Sequence, residues 1–405
     1  MRVHVGEHVG VGRLSLGRVL DAATDTDPGV LDSILAALGR EIGASDLVAY
    51  LVDFEQAVLE PLRGDRALHA ELPKGEEVAT TMPGRAFVSQ QPVVSERPDG
   101  ARIWVPIVEG PNRIGVLALT APRADPETVA TCRELGVFVG LLISTRRRFT
   151  DVFNLHRRRK PMGLDASMQW DLLPPLIVRC SRVTVAGLLE PAYHVGGDCF
   201  DYALNGPVLD FAIVDAMGHG LDSTLLSSLA VGCYRHNRRE SRAIETMHSE
   251  IDSVIGGRYR SERFATGQLA RLHLDSGVLT WTNAGHPCPL LLRRGKVIGS
   301  LSCTPTVPWG VGLDAPPTLA TEGLEPGDIL LLYTDGVVEA RGANVVGFGT
   351  ERLADLAGRA ASDQLPVEEI ARHLIRAVLE HHNHELADDA TLVMVQWHGA
   401  RQGTG

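Results

Sequence analysis

Residues 209–220 read LDFAIVDAMGHG. The apolar run from Leu209 to Val214 stops on Asp215. Ala216-Met217-Gly218-His219-Gly220 follows, and then a helical pattern begins. A buried strand that ends on a carboxylate needs a partner for the charge. Upstream, in VGGDCFDYALNGPVLDFAIVD (195–215), Asn205-Gly206 is a hairpin signal between two apolar strands. An even loop centred on that pair sets residue 198 opposite 213. Asp198 then shares a face with Asp215 as its diagonal neighbour, about 7–8 Å away between Cα atoms. An odd loop would put the two on opposite faces. Carboxylates that converge in this way repel unless a cation lies between them.

Two further segments repeat the theme. DILLLYTDGVVEA (328–340) is an apolar strand ending on Asp335-Gly336, and ELADDATLVMVQW (385–397) puts Asp388-Asp389 directly before a strand. One such dipeptide is ordinary turn chemistry. Four acidic positions at strand ends in one strand-rich region point to a shared site. A donor set of oxygens alone favours Mg²⁺ or Mn²⁺ over zinc. Paired ions of that kind activate water and hold phosphoryl oxygens.

The remainder of the chain sets the context. Its 405 residues suffice for two or three domains, and 44% hydrophobic content fills their cores. A formal net charge of −11 argues against nucleic-acid or anionic-membrane binding. The six cysteines (132, 180, 199, 233, 288 and 303) form no CxxC pair, which suits a reducing cytoplasmic location. The N-terminus lacks a signal-peptide apolar region, and LGVFVGLLIS (135–144) is too short to span a bilayer.

Residues 1–26 read as a tail. Asp27 and Pro28 mark a helix start, with Leu31, Ile34, Leu35, Leu38 and Ile42 on one face. LVAYLVD (47–53) reads as a strand, and IWVPIVEGPNRIGVLALT (103–120) as two strands joined by Gly-Pro-Asn. A helical pattern follows from about 127 to 160, with an apolar stripe through Leu135, Phe138, Leu142, Phe149 and Phe153. IGASDLVAYLVD, MPGRAFVSQQPVV and VPIVEGPNRIGVLALT resemble a GAF sensor domain, which implies a small ligand or dimerisation through residues 27–148. Cys132 reads as plain packing, since no cysteine sits where a chromophore would attach. The basic clusters 146–148 and 157–160 read as a solvated connector. Residues 149–175 form a helical linker with a short helix in LDASMQWDLLPPL (164–176), and 398–405 a second tail.

From 176 to 397 the motifs EPAYHVGGDCFDY, FAIVDAMGHG, LTWTNAGHPCPLLLR, LLLYTDGVVEA and ADDATLVMV resemble, in order, those of metal-dependent protein phosphatases of the protein phosphatase 2C superfamily. Within that superfamily they look most like the bacterial SpoIIE and RsbU branch. The resemblance implies an α+β fold with a four-layer α-β-β-α sandwich of two antiparallel sheets. It implies two Mn²⁺ or Mg²⁺ ions and hydrolysis of phosphoserine or phosphothreonine by activated water, without a phosphoenzyme. Asp215 matches the carboxylate bridging both ions, and the Ala216 carbonyl and Asp198 serve the second ion, Asp198 directly or through water. Asp335 and Asp388 match the ligands of the first ion, Asp388 being preferred to Asp389 because the family uses the first residue of that dipeptide.

Some positions depart from the pattern. Ala216 stands where glycine or valine is frequent, and Cys199 where an aromatic is usual. Met217 stands where the eukaryotic enzymes carry a histidine. His219 is a candidate acid nearby, with a structural hydrogen bond as the plainer reading. His286 in NAGHP is divided between turn stabilisation and catalysis. His381, His382 and His384 read as a solvated helix end patterned on Val367, Ile370, Leu374 and Val378.

These readings give a sensor-regulated serine/threonine phosphatase acting on a phosphorylated regulatory protein such as an anti-sigma-factor antagonist. The alternative is a catalytically silent scaffold of the same fold that binds a regulatory partner. The complete acidic set favours the enzyme. The stripe on the connector predicts a homodimer, and the helix from about Leu221 to His236 is expected to turn Leu225, Leu229 and Cys233 inward.

Overall fold

The structure, a computed structural model, describes residues 30–62, 74–98, 100–110, 112–193, 196–312, 316–339, 347–383, 386 and 388–400. Asp27 and Pro28 lie outside them, as does His384. The chain divides into two compact units, Met1–Pro161 and Met162–Gly405.

In the first unit, α1 (Val30–Ile42) precedes β1 (Ser45–Val52), β2 (Val58–Pro61) and β3 (Glu76–Glu77). Then come α2 (Met82–Ser89), β4 (Val93–Arg97), β5 (Gly100–Glu109), β6 (Asn112–Ala121), α3 (Pro126–Arg146) and α4 (Val152–Arg157). The strands form one antiparallel sheet in the order β3-β2-β1-β6-β5-β4. Alternation along the strands serves two faces. Leu51, Leu117 and Leu119 join α1 and α3 in one cluster, while Tyr50, Val116 and Ala118 join Phe87 of α2 in another.

The helical connector differs from the sequence expectation. The pattern over 127–160 is two helices, interrupted at 147–151. Thr150 accepts a bond from the Val152 N–H and restarts the chain as a new helix. Leu135, Phe138, Leu142 and Phe153 are buried in this unit's own core, and Phe149 alone of the stripe is exposed. Among the described residues α3 is the one helix with the length and composition to cross a bilayer. It is longer than the apolar run counted from sequence, but Cys132, Leu135, Val139 and Leu142 are buried in the protein core. Burial also pushes the Cys132 thiol up to about 11.

The second unit opens with α5 (Leu164–Leu172), then β7 (Ile177–Arg179), β8 (Val183–Glu190), β9 (Cys199–Asn205) and β10 (Val208–Ala216). Helices α6 (Leu221–Arg239) and α7 (Ile244–Tyr259) follow, then β11 (Ala265–His273), β12 (Val278–Ala284), β13 (Leu290–Arg293), β14 (Lys296–Ser300), β15 (Ala320–Gly323) and β16 (Ile329–Tyr333). The short α8 (Asp335–Val338), α9 (Thr350–Ser362), α10 (Val367–His381) and β17 (Ala390–Trp397) complete it. The strands form two antiparallel sheets, β15-β12-β11-β10-β9 and β14-β13-β16-β17-β8-β7. One apolar cluster takes Phe200, Phe211 and Leu272 from the first sheet, Leu331 and Val393 from the second, and Leu353, Leu374 and Val378 from α9 and α10. A second cluster joins Ala212 and Val214 of β10 to Leu226, Ala230 and Tyr234 of α6 and Ile251 of α7.

Two details correct the sequence reading. The β9–β10 ladder pairs Asn205 with Val208, so the turn is Gly206-Pro207, with Gly206 at φ +60°. The loop is even, but the register lies two residues from the expected one. Ile213 faces Phe200 and Val214 faces Cys199, which carries Asp198 directly opposite Asp215 rather than diagonal to it. On α6 the buried face is Leu226, Ala230, Val231 and Tyr234; Leu225 is exposed, and Leu229 and Cys233 are half-buried.

A candidate metal centre at the strand ends

The acidic positions gather where the ends of the two sheets meet. Asp198 precedes β9, and Asp215 is the next-to-last residue of β10, paired with Thr266 of β11. Asp335 begins α8 one residue after β16, across Thr334, and Asp388-Asp389 directly precede β17.

Hydrogen bonds tie these segments together. Thr334 Oγ1 donates to Asp198 Oδ2 at 2.6 Å and accepts from the Thr391 N–H at 3.0 Å. The Thr334 N–H returns a bond to the Thr391 carbonyl at 3.1 Å. Asp389 Oδ2 accepts from the Gly196 N–H at 2.6 Å and the Asp198 N–H at 3.3 Å. The Gln169 side-chain amide of α5 donates to the Asp198 carbonyl. The backbone itself packs closely. A Cβ on Gly336 would lie 1.9 Å from the Asp389 carbonyl oxygen, and one on Gly197 would lie 2.2 Å from the Ala216 carbonyl oxygen. Both positions therefore exclude a side chain.

The electrostatics are those of crowded carboxylates. Asp198 is 2% exposed, and burial raises its carboxyl well above the usual range, with Asp215 and Asp389 adding repulsion. Burial also pushes Asp389 up to about 7; the N–H bonds from Asp198 and Gly196 oppose this, while Asp388 and Asp215 reinforce it. Asp215, Asp335 and Asp388 are half-buried at the rim. Among the described residues no three acidic, histidine or cysteine side chains are gathered closely enough to count as a ligand cluster. The donor chemistry nevertheless fits Mn²⁺ or Mg²⁺: oxygen groups only, mutually repelling, with a carbonyl reachable past Gly197.

The structure brings Asp198 and Asp215 together and adds Asp389, which the sequence reading set aside for Asp388. Asp389 is the more buried of the two. Its backbone donors, Gly196 and Asp198, lie more than 190 positions away in sequence, as the bonds to Gly196 (193 apart) and Asp198 (191 apart) show. No local signal could have found it. Thr334 and Gln169 were missed for the same reason.

The histidines fall into separate roles. His219 is exposed, and its backbone bridges to Gly196. His286 is buried, with Nδ1 2.9 Å from Thr266 Oγ1. Its N–H donates to Asn283 Oδ1 at 2.7 Å, and its carbonyl accepts from Asn283 Nδ2 at 2.9 Å. Burial pushes the ring down to about 3, so it is neutral at pH 7. His381 and His382 end α10, and His381 Nδ1 lies 2.9 Å from Arg352 Nη1.

Residues 206–398, slightly less than half of the chain, match the family model for Stage II sporulation protein E (SpoIIE). The matched stretch lies within the second unit, Met162–Gly405. Among curated relatives, the phosphoserine phosphatase RsbU of Bacillus subtilis is 23% identical over 242 residues, covering 59% of this chain and 70% of that protein. A crystal structure of the RsbU and RsbW domains of a Mycobacterium tuberculosis protein is 26% identical, with TM-score 0.48, covering 55% of this chain and 61% of the other. The SiaA phosphatase domain of Pseudomonas aeruginosa is 22% identical, with TM-score 0.48, covering 57% and 93%.

Proposed function

We propose that the chain is a Mn²⁺- or Mg²⁺-dependent protein phosphatase that hydrolyses phosphoserine or phosphothreonine on a regulatory protein, such as an anti-sigma-factor antagonist. The observation that carries this reading is the mutually repelling set of buried Asp198 and Asp389 with half-buried Asp215; Asp215 and Asp389 lie within the stretch that matches the SpoIIE family model and Asp198 eight residues before it. Asp215, the Ala216 carbonyl, Asp198, Asp335 and Asp388 would hold two ions, with Asp389 as the further acidic group the structure adds. Bound there, the ions would lower the pKa of water and balance charge on the phosphoryl oxygens. The protein's own part is positional. Thr334 fixes the Asp198 carboxylate, Gln169 fixes its carbonyl, and the Gly196 and Asp198 N–H groups fix Asp389.

The shared cluster between the sheets and the helix-lined clusters support the four-layer α-β-β-α reading of the second unit. For the first unit, a six-stranded antiparallel sheet with helices on both faces supports the GAF-like sensor reading. The proposed homodimer now rests on a different face of α3: Val137 and Leu141, one turn apart, are exposed, as is Phe149 beyond it. A cytoplasmic location remains part of the proposal.

The test is release of phosphate from a phosphoserine protein by the full chain with Mn²⁺, compared with a small aryl phosphate and with chelator added. Turnover that needs the metal and prefers the phosphoprotein supports the reading. A folded protein without phosphatase activity under any divalent ion overturns it.

A further inference from the structure

The NAGHP turn at the end of β12 holds a buried histidine whose ring the turn itself does not need. Other side chains fix its backbone. Asn283 Oδ1 accepts from the His286 N–H at 2.7 Å, and Asn283 Nδ2 donates to the His286 carbonyl at 2.9 Å. Gln268 Nε2 of β11 donates to the Pro287 carbonyl at 2.8 Å, and Gly285 supplies the left-handed residue at φ +67°. These bonds shape the turn without the imidazole. Yet the ring is buried, and its Nε2 has no hydrogen-bond partner. A buried polar atom left unpaired costs about 1–3 kcal/mol. A residue that only formed the turn would have no reason to carry that cost.

The ring's neighbours lead to the acidic site from both sheets. Nδ1 lies 2.9 Å from Thr266 Oγ1, and Thr266 is the direct ladder partner of Asp215. Directly opposed residues of an antiparallel pair point to one face, with Cβ atoms about 4.5–5.5 Å apart. Thr266 and Asp215 are therefore side by side, both half-buried. Burial holds the ring neutral, and the Tyr333 carbonyl of β16, on the second sheet, opposes this by favouring the protonated form. Tyr333 thus lies beside the ring, and it directly precedes Thr334, whose hydroxyl holds Asp198. His286 stands between the neighbour of Asp215 and the segment that holds Asp198. A neutral ring there orients oxygen groups without adding positive charge beside an ion.

Resting on the metal-dependent phosphatase reading, we propose that His286 is a positioning residue of the candidate metal centre. Through Thr266 it fixes Asp215 relative to the Thr334–Asp198 pair.

The test reads metal binding directly, so it does not depend on turnover. Mn²⁺ is titrated into the full chain and followed by electron paramagnetic resonance, while circular dichroism checks the fold. His286→Phe keeps a ring and removes both nitrogens. It should weaken Mn²⁺ binding about tenfold or more. His286→Asn, whose amide takes the place of Nδ1, should recover most of that loss. Thr266→Val should match His286→Phe without touching the turn, so it decides the matter if the histidine variants do not fold. The double variant should bind about as well as the weaker single one, since both remove the same bond. His248→Gln is the control. His248 of α7 is also buried but bonds Thr282 and Thr306, at 3.0 Å each, so its loss should lower stability and leave Mn²⁺ affinity unchanged. Parent affinity in folded His286→Phe or Thr266→Val overturns the proposal. So do losses that multiply in the double variant, or an equal loss in His248→Gln. A parent protein that binds no Mn²⁺ overturns the metal-dependent reading, and this proposal with it; a parent that binds Mn²⁺ beside unaltered variants overturns the role of His286 alone.

Discussion

Thr334 joins Asp198 across the boundary between the two sheets, hydroxyl to carboxylate at 2.6 Å. The same hydroxyl accepts from the N–H of Thr391, the second residue of β17. One side chain thereby sets the spacing of three acidic segments. Thr334→Val keeps the shape and removes both bonds. It should raise the Mn²⁺ concentration for half-maximal phosphatase rate by about ten- to a hundredfold. It should also lower stability by roughly 1–3 kcal/mol, since a buried carboxylate loses its donor. Denaturant titration and a metal titration check the two effects; an unchanged metal dependence would remove Thr334 from the site.

Asp215→Asn should cut phosphatase turnover by at least about a hundredfold, because the lost charge weakens the hold on the ions that activate water, while the protein keeps its fold. Without metal the substitution relieves repulsion on Asp198 and Asp389, so the metal-free melting temperature should hold or rise. Full activity in this variant would disprove the site assignment.

Gly336→Ala introduces a Cβ 1.9 Å from the Asp389 carbonyl, where no side chain fits. The start of β17 or the α8 turn must shift, at a cost of about 1–3 kcal/mol. The expected result is a lower melting temperature together with weaker metal binding. A wild-type melting curve would mean that the approach is looser than the structure has it.

Stability should fall in mild acid. Burial holds the His248 ring down at about 4, against an ordinary value of 6.5. Between those values the unfolded chain takes up the proton and the folded one does not. Its contribution is therefore complete above about pH 6.5 and lost as the pH falls toward 4. Unfolding free energy measured at pH 7 and pH 5 should drop in the parent and change less in His248→Gln. Equal slopes would show that the ring does not carry the effect.

Much of the candidate site was legible because its residues punctuate strands. Asp215, Asp335 and Asp388 each stand where an apolar run stops or starts, and that pattern survives without any knowledge of partners. The hairpin was legible in kind but not in register, because Asn205-Gly206 and Gly206-Pro207 both make plausible turns and differ only in which residues face each other. The helix after Asp215 was found, but its buried side was misread by one position. Leu225 looked like a core residue, while the packing uses Leu226 and the smaller Ala230. The apolar stripe through Leu135 and Phe138 was read as spare surface because sequence does not show that the sheet beneath it already covers it. Thr334, Gln169 and His248 act through partners that periodicity cannot supply.

Helix α6 is gripped unevenly. Near its C-terminal end Arg235 and Arg238 both hold Asp201 of β9, each at 2.7 Å, and Asp201 is only 2% exposed. At the other end, about 20 Å away at 1.5 Å per residue, the holds are the Thr224 hydroxyl on the Gly196 carbonyl and the solvent-exposed Asp222–Arg263 pair. The double clamp ties the C-terminal half of the helix to β9, while its first turn, with Ser223 and Thr224 fully buried, rests against Gly196, whose N–H holds Asp389. Amide exchange along α6 should then be graded, fastest in the first turn, where the N–H groups have no helical acceptor, and slowest around Arg235. Arg238→Ala should flatten that gradient by loosening the clamp at Asp201.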